Sequence, residues 1–250
     1  MTLRLSADAP ALAHGLGLFE TMRVVRGHVV QVDQHLQRMI ASSGALSFPL
    51  PDEDAFRGAV NEAAQGVSTL GEAALRCMYL ATSAKKWRLV ATAHAMPEAT
   101  LLRRRRGRAV TLTSSRALPE HKLTSYAASI LGLREAQAKG ADEGLFVDRR
   151  GRVLEGTATN VFAISGRRLI TAPVRDGILP GIVRAWVIEN ASRVDLDVAE
   201  RAPTKDELRE GSFFTSSLTM LAPVRKLDGD VCRAPGDAFE ELQRLYRRVP

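Results

Sequence analysis

A polar stretch near the middle of the chain constrains its fold more than any other feature. Thr113-Ser114-Ser115-Arg116, followed by Pro119-Glu120-His121, separates two runs of alternating strand-like and helix-like segments. Small polar residues and proline favour turns, so the stretch reads as a link between two units. The N-terminal domain is expected over 1–113, the linker over 114–121 and the C-terminal domain over 122–250. A chain of 250 residues is long enough to bury a core in each.

Both units read as α+β. Phe19, Met22, Val24 and Val25 precede a turn at Arg26-Gly27-His28, after which Val29-Val30-Gln31-Val32 resumes, the pattern of a hairpin over 16–32. Asp33 is placed to cap a helix in which Leu36, Met39 and Ile40 recur at helical spacing, with Gly44 marking its end. A second helix is expected over 53–65, turning Phe56, Val60, Ala63 and Ala64 inward, followed by paired strands over 75–82 and 88–95. Beyond the polar stretch a helix is expected over 124–138, with Tyr126, Ile130 and Leu133 inward, then short strands over 144–148, 153–155, 160–165 and 169–171. Gly177-Ile178-Leu179-Pro180-Gly181 opens a helix whose buried face is Ile182, Val183, Trp186, Val187 and Ala191. Two β-prone pieces, 212–216 and 221–224, and a helix over 236–247 close the chain.

Composition excludes several classes. No stretch approaches the roughly 20 apolar residues of a membrane helix, so no membrane partner is expected. Met1-Thr2-Leu3-Arg4-Leu5 has no apolar block leading to a cleavage site, and the cytoplasm is the expected compartment. Two cysteines, Cys77 and Cys232, fit neither a disulfide framework nor zinc-ligand spacing, and no metal is expected. The net charge of +7 is concentrated in Arg103-Arg104-Arg105-Arg106-Gly107-Arg108. Begun as a strand, that run would send alternate arginines to opposite faces. Only 5% of the chain is aromatic and none of it interleaves the run, so the stacking platform of single-strand recognition is missing and no nucleic-acid partner is expected.

Three features carry chemistry beyond packing. Lys122 stands in His121-Lys122-Leu123-Thr124-Ser125-Tyr126; alone it is an ordinary solvated lysine, yet a lysine can also form a Schiff base with an aldehyde. Glu155-Gly156-Thr157-Ala158-Thr159-Asn160 places an acid at a strand end among small residues, either an exposed turn or a carboxylate that shares a proton with a ring nitrogen. Leu179-Pro180-Gly181-Ile182-Val183-Arg184 leads a loop into a helix, a generic start or a phosphate site at a positive helix end.

The order and separation of these motifs resemble those of the fold-type IV pyridoxal-phosphate enzymes, the class IV aminotransferase family. The resemblance begins at His14-Gly15-Leu16-Gly17-Leu18-Phe19-Glu20-Thr21 and His35-Leu36-Gln37-Arg38, passes through His121-Lys122, Glu135-Ala136, Glu155-Gly156 and Asn160-Val161-Phe162, and ends at Phe214-Thr215-Ser216-Ser217-Leu218. It implies a two-domain α+β fold like that of D-amino-acid aminotransferase, pyridoxal 5′-phosphate held between the domains, and a homodimer. It implies that Lys122 is the catalytic Schiff-base lysine, that Glu155 pairs with the pyridine nitrogen, and that Arg38 binds the phosphate. The Ile182 and Val183 amides and the Ser217 hydroxyl match further phosphate positions, and Tyr126 matches the neighbourhood of the ring's phenolic oxygen. The family usually has an aromatic residue where this chain has His14 and an acidic or similar one where it has Leu16. His14 and Arg76 are the candidates on the substrate side.

Within the family the sequence is closest in pattern to 4-amino-4-deoxychorismate lyase, an enzyme whose products are 4-aminobenzoate and pyruvate. The short N-terminus, Phe19-Glu20-Thr21 and Thr215-Ser216-Ser217-Leu218 favour that reading. The alternative is an aminotransferase for branched-chain L-amino acids or for D-amino acids. A protein that kept the fold and lost the chemistry is disfavoured by intact Lys122, Glu155 and Arg38.

Overall fold

Residues 4–249 are described by the computed structural model; the reading of the N-terminus as leaderless rests partly on Met1, Thr2 and Leu3, which lie outside the described residues. The described residues fall into two units, 4–97 with 121–126, and 98–120 with 127–249. The chain thus leaves the first unit at 97/98 and returns to it for 121–126, so residues 98–113, expected in the first domain, lie in the second unit. The reason is strand pairing: residues 108–112 form a parallel ladder with a strand of the second unit, which the local polarity of 113–121 does not reveal.

In the first unit a short helix, α1 (Pro10–Ala13), precedes β1 (Gly17–Val25), β2 (His28–Val29), α2 (Val32–Ala45), α3 (Glu53–Gln65), β3 (Glu72–Ala81) and β4 (Trp87–Ala95). The strands form one antiparallel sheet in the order β2-β1-β3-β4. Gly27, at φ +82°, supplies the left-handed residue that the β1–β2 turn needs. The core joins Leu18, Met22 and Leu75 of the sheet to Leu36 and Met39 of α2 and Phe56 and Val60 of α3. Burying Phe56 completely stabilises the unit by about 2–3 kcal/mol. Asp52 caps α3, its side chain accepting from Ala55 N at 2.7 Å. Asp33 does not cap α2: Gln31 takes that place in a left-handed conformation, and Asp33 pairs with Arg57.

The second unit begins with α4 (Glu98–Arg106) and β5 (Arg108–Leu112), followed by α5 (Ala127–Ala138), β6 (Glu143–Val147), β7 (Val153–Gly156), β8 (Asn160–Ser165) and β9 (Arg168–Thr171). After α6 (Ile182–Asn190) come β10 (Asp197–Glu200), α7 (Lys205–Glu210), β11 (Ser212–Ser216), β12 (Met220–Pro223), β13 (Lys226–Leu227), β14 (Asp230–Val231) and α8 (Asp237–Tyr246). Two five-stranded sheets, β10-β9-β8-β11-β12 and β14-β13-β5-β6-β7, share a core of Leu145, Val153, Val161, Ile170, Phe214 and Val224. A further core places Val183 and Val187 of α6 and Phe239 and Leu242 of α8 against Phe162 and Phe213.

One expectation fails here, and one open reading is settled. The arginine run is not the start of a strand but the last turn of α4, where four cations meet the negative end of the helix dipole. The buried face of α5 is Ser129, Gly132 and Ala136, whereas Ile130 is about half exposed. Small residues win that face because Leu112 and Thr157 lie within 3.1 Å of where a Cβ on Gly132 would sit.

Gly107 ends α4 at φ +57°, and a Cβ there would stand 2.1 Å from the Pro223 carbonyl oxygen. Gly107→Ala is expected to lower unfolding free energy by more than about 2 kcal/mol, combining left-handed strain with a backbone clash. Urea denaturation of both proteins checks it; an unchanged midpoint would refute the packing.

Candidate functional site

In the first unit, strand alternation sets the site. Leu18, Glu20 and Met22 lie on one face of β1 and Phe19 on the other. Glu20 therefore enters the interface with α2, where His35 and Arg38 sit one turn apart. Arg38 grips the carboxylate with two bonds, Nε to Oε1 at 2.9 Å and Nη2 to Oε2 at 2.5 Å. His35 Nδ1 lies 2.6 Å from Oε2, which fixes the ring proton on that nitrogen. Burial alone would raise the Glu20 pKa, but the Arg38 charge and the His35 bond overcome it and hold the group down to about 2. Burial pushes His35 below its ordinary value against the pull of Glu20, with Arg38 and Lys122 adding like charge.

Lys122 is carried into the same unit by backbone pairing at the free edge of β1. Phe19 N donates to Lys122 O and Thr124 N to Gly17 O, both at 2.9 Å, flanking the bridge between Leu18 and Leu123. The helix expected from 124 starts only at Ala127, because 122–124 is extended against this edge. The Lys122 ammonium then stands 4.8 Å from the Phe19 ring centroid and 5.9 Å from that of Tyr126. The two rings meet edge to face at 5.2 Å, and the exposed Arg76 guanidinium stacks on Phe19 at 4.6 Å. Phe19, read from sequence only as strand and motif, is thus the residue on which Lys122, Tyr126 and Arg76 converge. His14 is exposed at the end of α1 and is not part of this group.

In the second unit, β7 delivers Glu155, 3% exposed, to the loop that enters α6. Glu155 Oε2 accepts from Leu179 N at 3.0 Å and from Asn160 Nδ2 at 3.4 Å, and Asn160 Nδ2 also donates to Leu179 O at 3.0 Å. Glu155 Oε1 accepts from Arg116 through Nε at 3.1 Å and through Nη2. Arg116, 39 residues before Glu155, and Asn160, five residues after it, are the side chains that meet its carboxylate; only the folded chain shows either contact.

The loop places the N-terminus of α6 beside Asn160. A Cβ on Gly181 would fall 1.9 Å from Asn160 Oδ1, so only glycine fits this N-cap. No side chain caps α6, which leaves the first-turn amides, those of Ile182 and Val183 included, for an outside acceptor. On β11 the buried Thr215 hydroxyl has no hydrogen-bond partner, and Ser217 follows half-buried in the turn to β12. The second unit thus presents helix-start amides, hydroxyls and a buried carboxylate held by hydrogen-bond donors; the first presents an amine between aromatic rings. These donor types fit a phosphorylated aromatic aldehyde.

Residues 17–227 match the family model for amino-transferase class IV. A bifunctional aminodeoxychorismate lyase / D-amino acid transaminase from Mycobacterium tuberculosis is 33% identical, over 95% of this chain and 91% of that protein. A hypothetical aminotransferase from Mycobacterium tuberculosis, solved with α-ketoglutarate and PMP bound, superposes with a TM-score of 0.89 at 30% identity, covering 100% of this chain and 93% of that one. A fold IV transaminase from Curtobacterium pusillum gives a TM-score of 0.85 at 25% identity over 99% and 91% of the two chains.

The Glu20 cluster makes a pH-dependent prediction. Its folded pKa lies below the unfolded 4.5, so its contribution is complete above pH 4.5 and is lost as pH falls towards 2. Glu20→Gln is expected to cost about 3–5 kcal/mol at pH 7 by removing the buried charge that faces Arg38, and the deficit should shrink between pH 4.5 and 2. Thermal melts across that range check it; a constant deficit would contradict the assignment.

Proposed function

Because this chain belongs to the class IV aminotransferase family, we propose that it is a pyridoxal-5′-phosphate-dependent lyase converting 4-amino-4-deoxychorismate to 4-aminobenzoate and pyruvate. Its fold is that of the fold-type IV enzymes and its cofactor is pyridoxal 5′-phosphate. The observation that carries the lyase reading is the likeness, along nearly the whole chain, to a relative that is both lyase and D-amino-acid transaminase. Transamination of D-amino acids is the second reading, on the same observation. A homodimer acting in the cytoplasm completes the proposal.

The residues that would hold the cofactor are Lys122 for its aldehyde, Glu155 for its pyridine nitrogen, and Arg38, the α6 amides of Ile182 and Val183 and the Ser217 hydroxyl for its phosphate, with Tyr126 near its phenolic oxygen. When bound, the group supplies an electron-withdrawing ring that stabilises negative charge on the substrate carbon next to nitrogen. Donors from Arg116, Leu179 and Asn160 surround Glu155 with the environment of a charged acceptor, the form that matches a protonated ring nitrogen. Phe19 presents its ring to Lys122 Nζ and favours the ammonium that forms when the lysine takes up a proton. In the lyase reaction Lys122 Nζ takes the proton whose loss lets the substrate ring become aromatic, and pyruvate leaves as its enol. In a transaminase the same nitrogen would carry the proton from the substrate carbon to the cofactor. Arg76, exposed on the same aromatic ring as Lys122, would meet a substrate carboxylate, and its stacking on Phe19 supports that reading.

Lys122→Ala is expected to abolish the covalent link to cofactor that borohydride fixes, read by mass spectrometry; a persisting link would reject the lysine. Glu155→Ala is expected to keep cofactor and lower kcat by about 10²-fold or more. Arg38→Ala should weaken cofactor binding and also destabilise the fold, since Glu20 loses its cation. Incubating the holoenzyme with aminodeoxychorismate and, separately, with D-alanine plus a keto acid decides between readings. Release of 4-aminobenzoate and pyruvate supports the lyase, and amino-group exchange alone rejects it.

A further inference from the structure

Arg103 and Arg104, the first two of the arginine run, pack inside the second unit, whereas Arg105 and Arg106 stay exposed. Arg104 Nε donates to Leu218 O at 3.0 Å, joined by Nη2 of the same guanidinium. Arg103 is 6% exposed and donates from Nε to Thr219 Oγ1 at 3.4 Å. Leu218 and Thr219 belong to the turn between β11 and β12, directly after Ser217. Thr219 N donates to Ser216 Oγ at 2.9 Å across that turn, and Met220, the first residue of β12, is held at φ +60°. A turn that leads into a left-handed methionine keeps one conformation only when its surroundings over-determine it.

Arg103 also reaches in a second direction. Its Nη1 lies 3.5 Å from Oε2 of Glu143, which is wholly buried. Glu143 Oε1 accepts from Gly144 N at 3.1 Å, from Thr157 N at 3.0 Å and from the Thr157 hydroxyl; Oε2 accepts from Thr159 Oγ1 at 3.1 Å. Thr157 and Thr159 form the turn that follows Glu155 and Gly156. A Cβ on Gly156 would stand 2.2 Å from Thr159 Oγ1, so this turn is packed to contact as well.

We propose that Arg103 and Arg104 are positioning residues for the cofactor phosphate. Arg104 fixes the backbone of the turn that presents Ser217, and Arg103, through Glu143, ties that turn to the one behind Glu155. Neither arginine needs to touch the cofactor. Guanidinium suits both places: Arg104 grips one carbonyl oxygen through two of its N–H groups, and Arg103 bonds Thr219 while its charge faces Glu143, tasks a single ammonium does not match. The inference rests on the pyridoxal-phosphate reading above.

The test compares binding of pyridoxal 5′-phosphate with binding of pyridoxal, which lacks the phosphate, in the wild-type chain, Arg104→Gln, Arg104→Lys and Arg103→Gln. Absorbance and fluorescence titrations give the Kd values, and circular dichroism with thermal melts reports folding. The expected result for Arg104→Gln is a roughly tenfold to hundredfold loss of pyridoxal-phosphate affinity with pyridoxal affinity unchanged, partly rescued in Arg104→Lys. Inorganic phosphate should correspondingly compete less well against pyridoxal phosphate in the variant. Equal losses for both ligands, or no loss, would overturn the proposal. Arg103→Gln leaves Glu143 without its cation and is the variant at risk of misfolding; the half-buried Arg104 keeps the test decisive. Failure of the wild-type chain to bind pyridoxal phosphate would instead remove the functional reading itself, and is recognised because it precedes any substitution.

Discussion

Buried carboxylates matched by arginine are the interaction on which the rest of this protein depends. Among the described residues the buried acids are Glu20, Asp142, Glu143 and Glu155, and each has an arginine within ion-pair distance. An unpaired carboxylate in such a place costs several kcal/mol, so each pair commits two distant stretches of chain to one arrangement. Glu20 commits α2 to β1; Glu155 commits the segment around Arg116 to β7; Glu143 commits α4 to the turn after β7. In every case the acid and its cation come from different elements, so the charges act as fasteners between secondary structures.

Several arginines of the basic run serve as such fasteners. Arg103, Arg104, Arg106 and Arg108 donate to Thr219, Leu218 or Asp142 inside the unit. Their charge is used to hold turns in place. The same logic describes the candidate site, where functional groups sit at strand ends and helix starts while the partners that orient them lie one layer behind. Phe19, Arg116 and Asn160 show no chemistry of their own in the sequence, yet each decides where Lys122, Glu155 or the start of α6 stands.

Much of the fold was legible in local pattern. The helix over 53–65, the strands over 160–165 and 212–216 and the closing helix appear where periodicity put them, because their cores are built from neighbours three, four or two residues apart. The misreadings share one cause. The arginine run became helical because the strand ladder begins only at Arg108, beyond Gly107. The inner face of α5 went to small residues because Leu112 and Phe146 press against it from strands distant in sequence. The domain boundary moved because β5 pairs with β6, a contact that no property of 108–112 announces.

The sequence by itself determined the spaced motifs: an amine at 122, a carboxylate at 155, a glycine-led helix start at 181 and a hydroxyl-rich turn at 215–217. Residue type and order are sufficient for that, since they set which chemistry each position can offer. Only the tertiary structure decided which groups orient them, that Arg116 answers Glu155, that Arg38 answers Glu20, that Phe19 faces Lys122. Those choices depend on which surfaces exclude water together, and burial is a property of the packed chain that no short window of sequence contains.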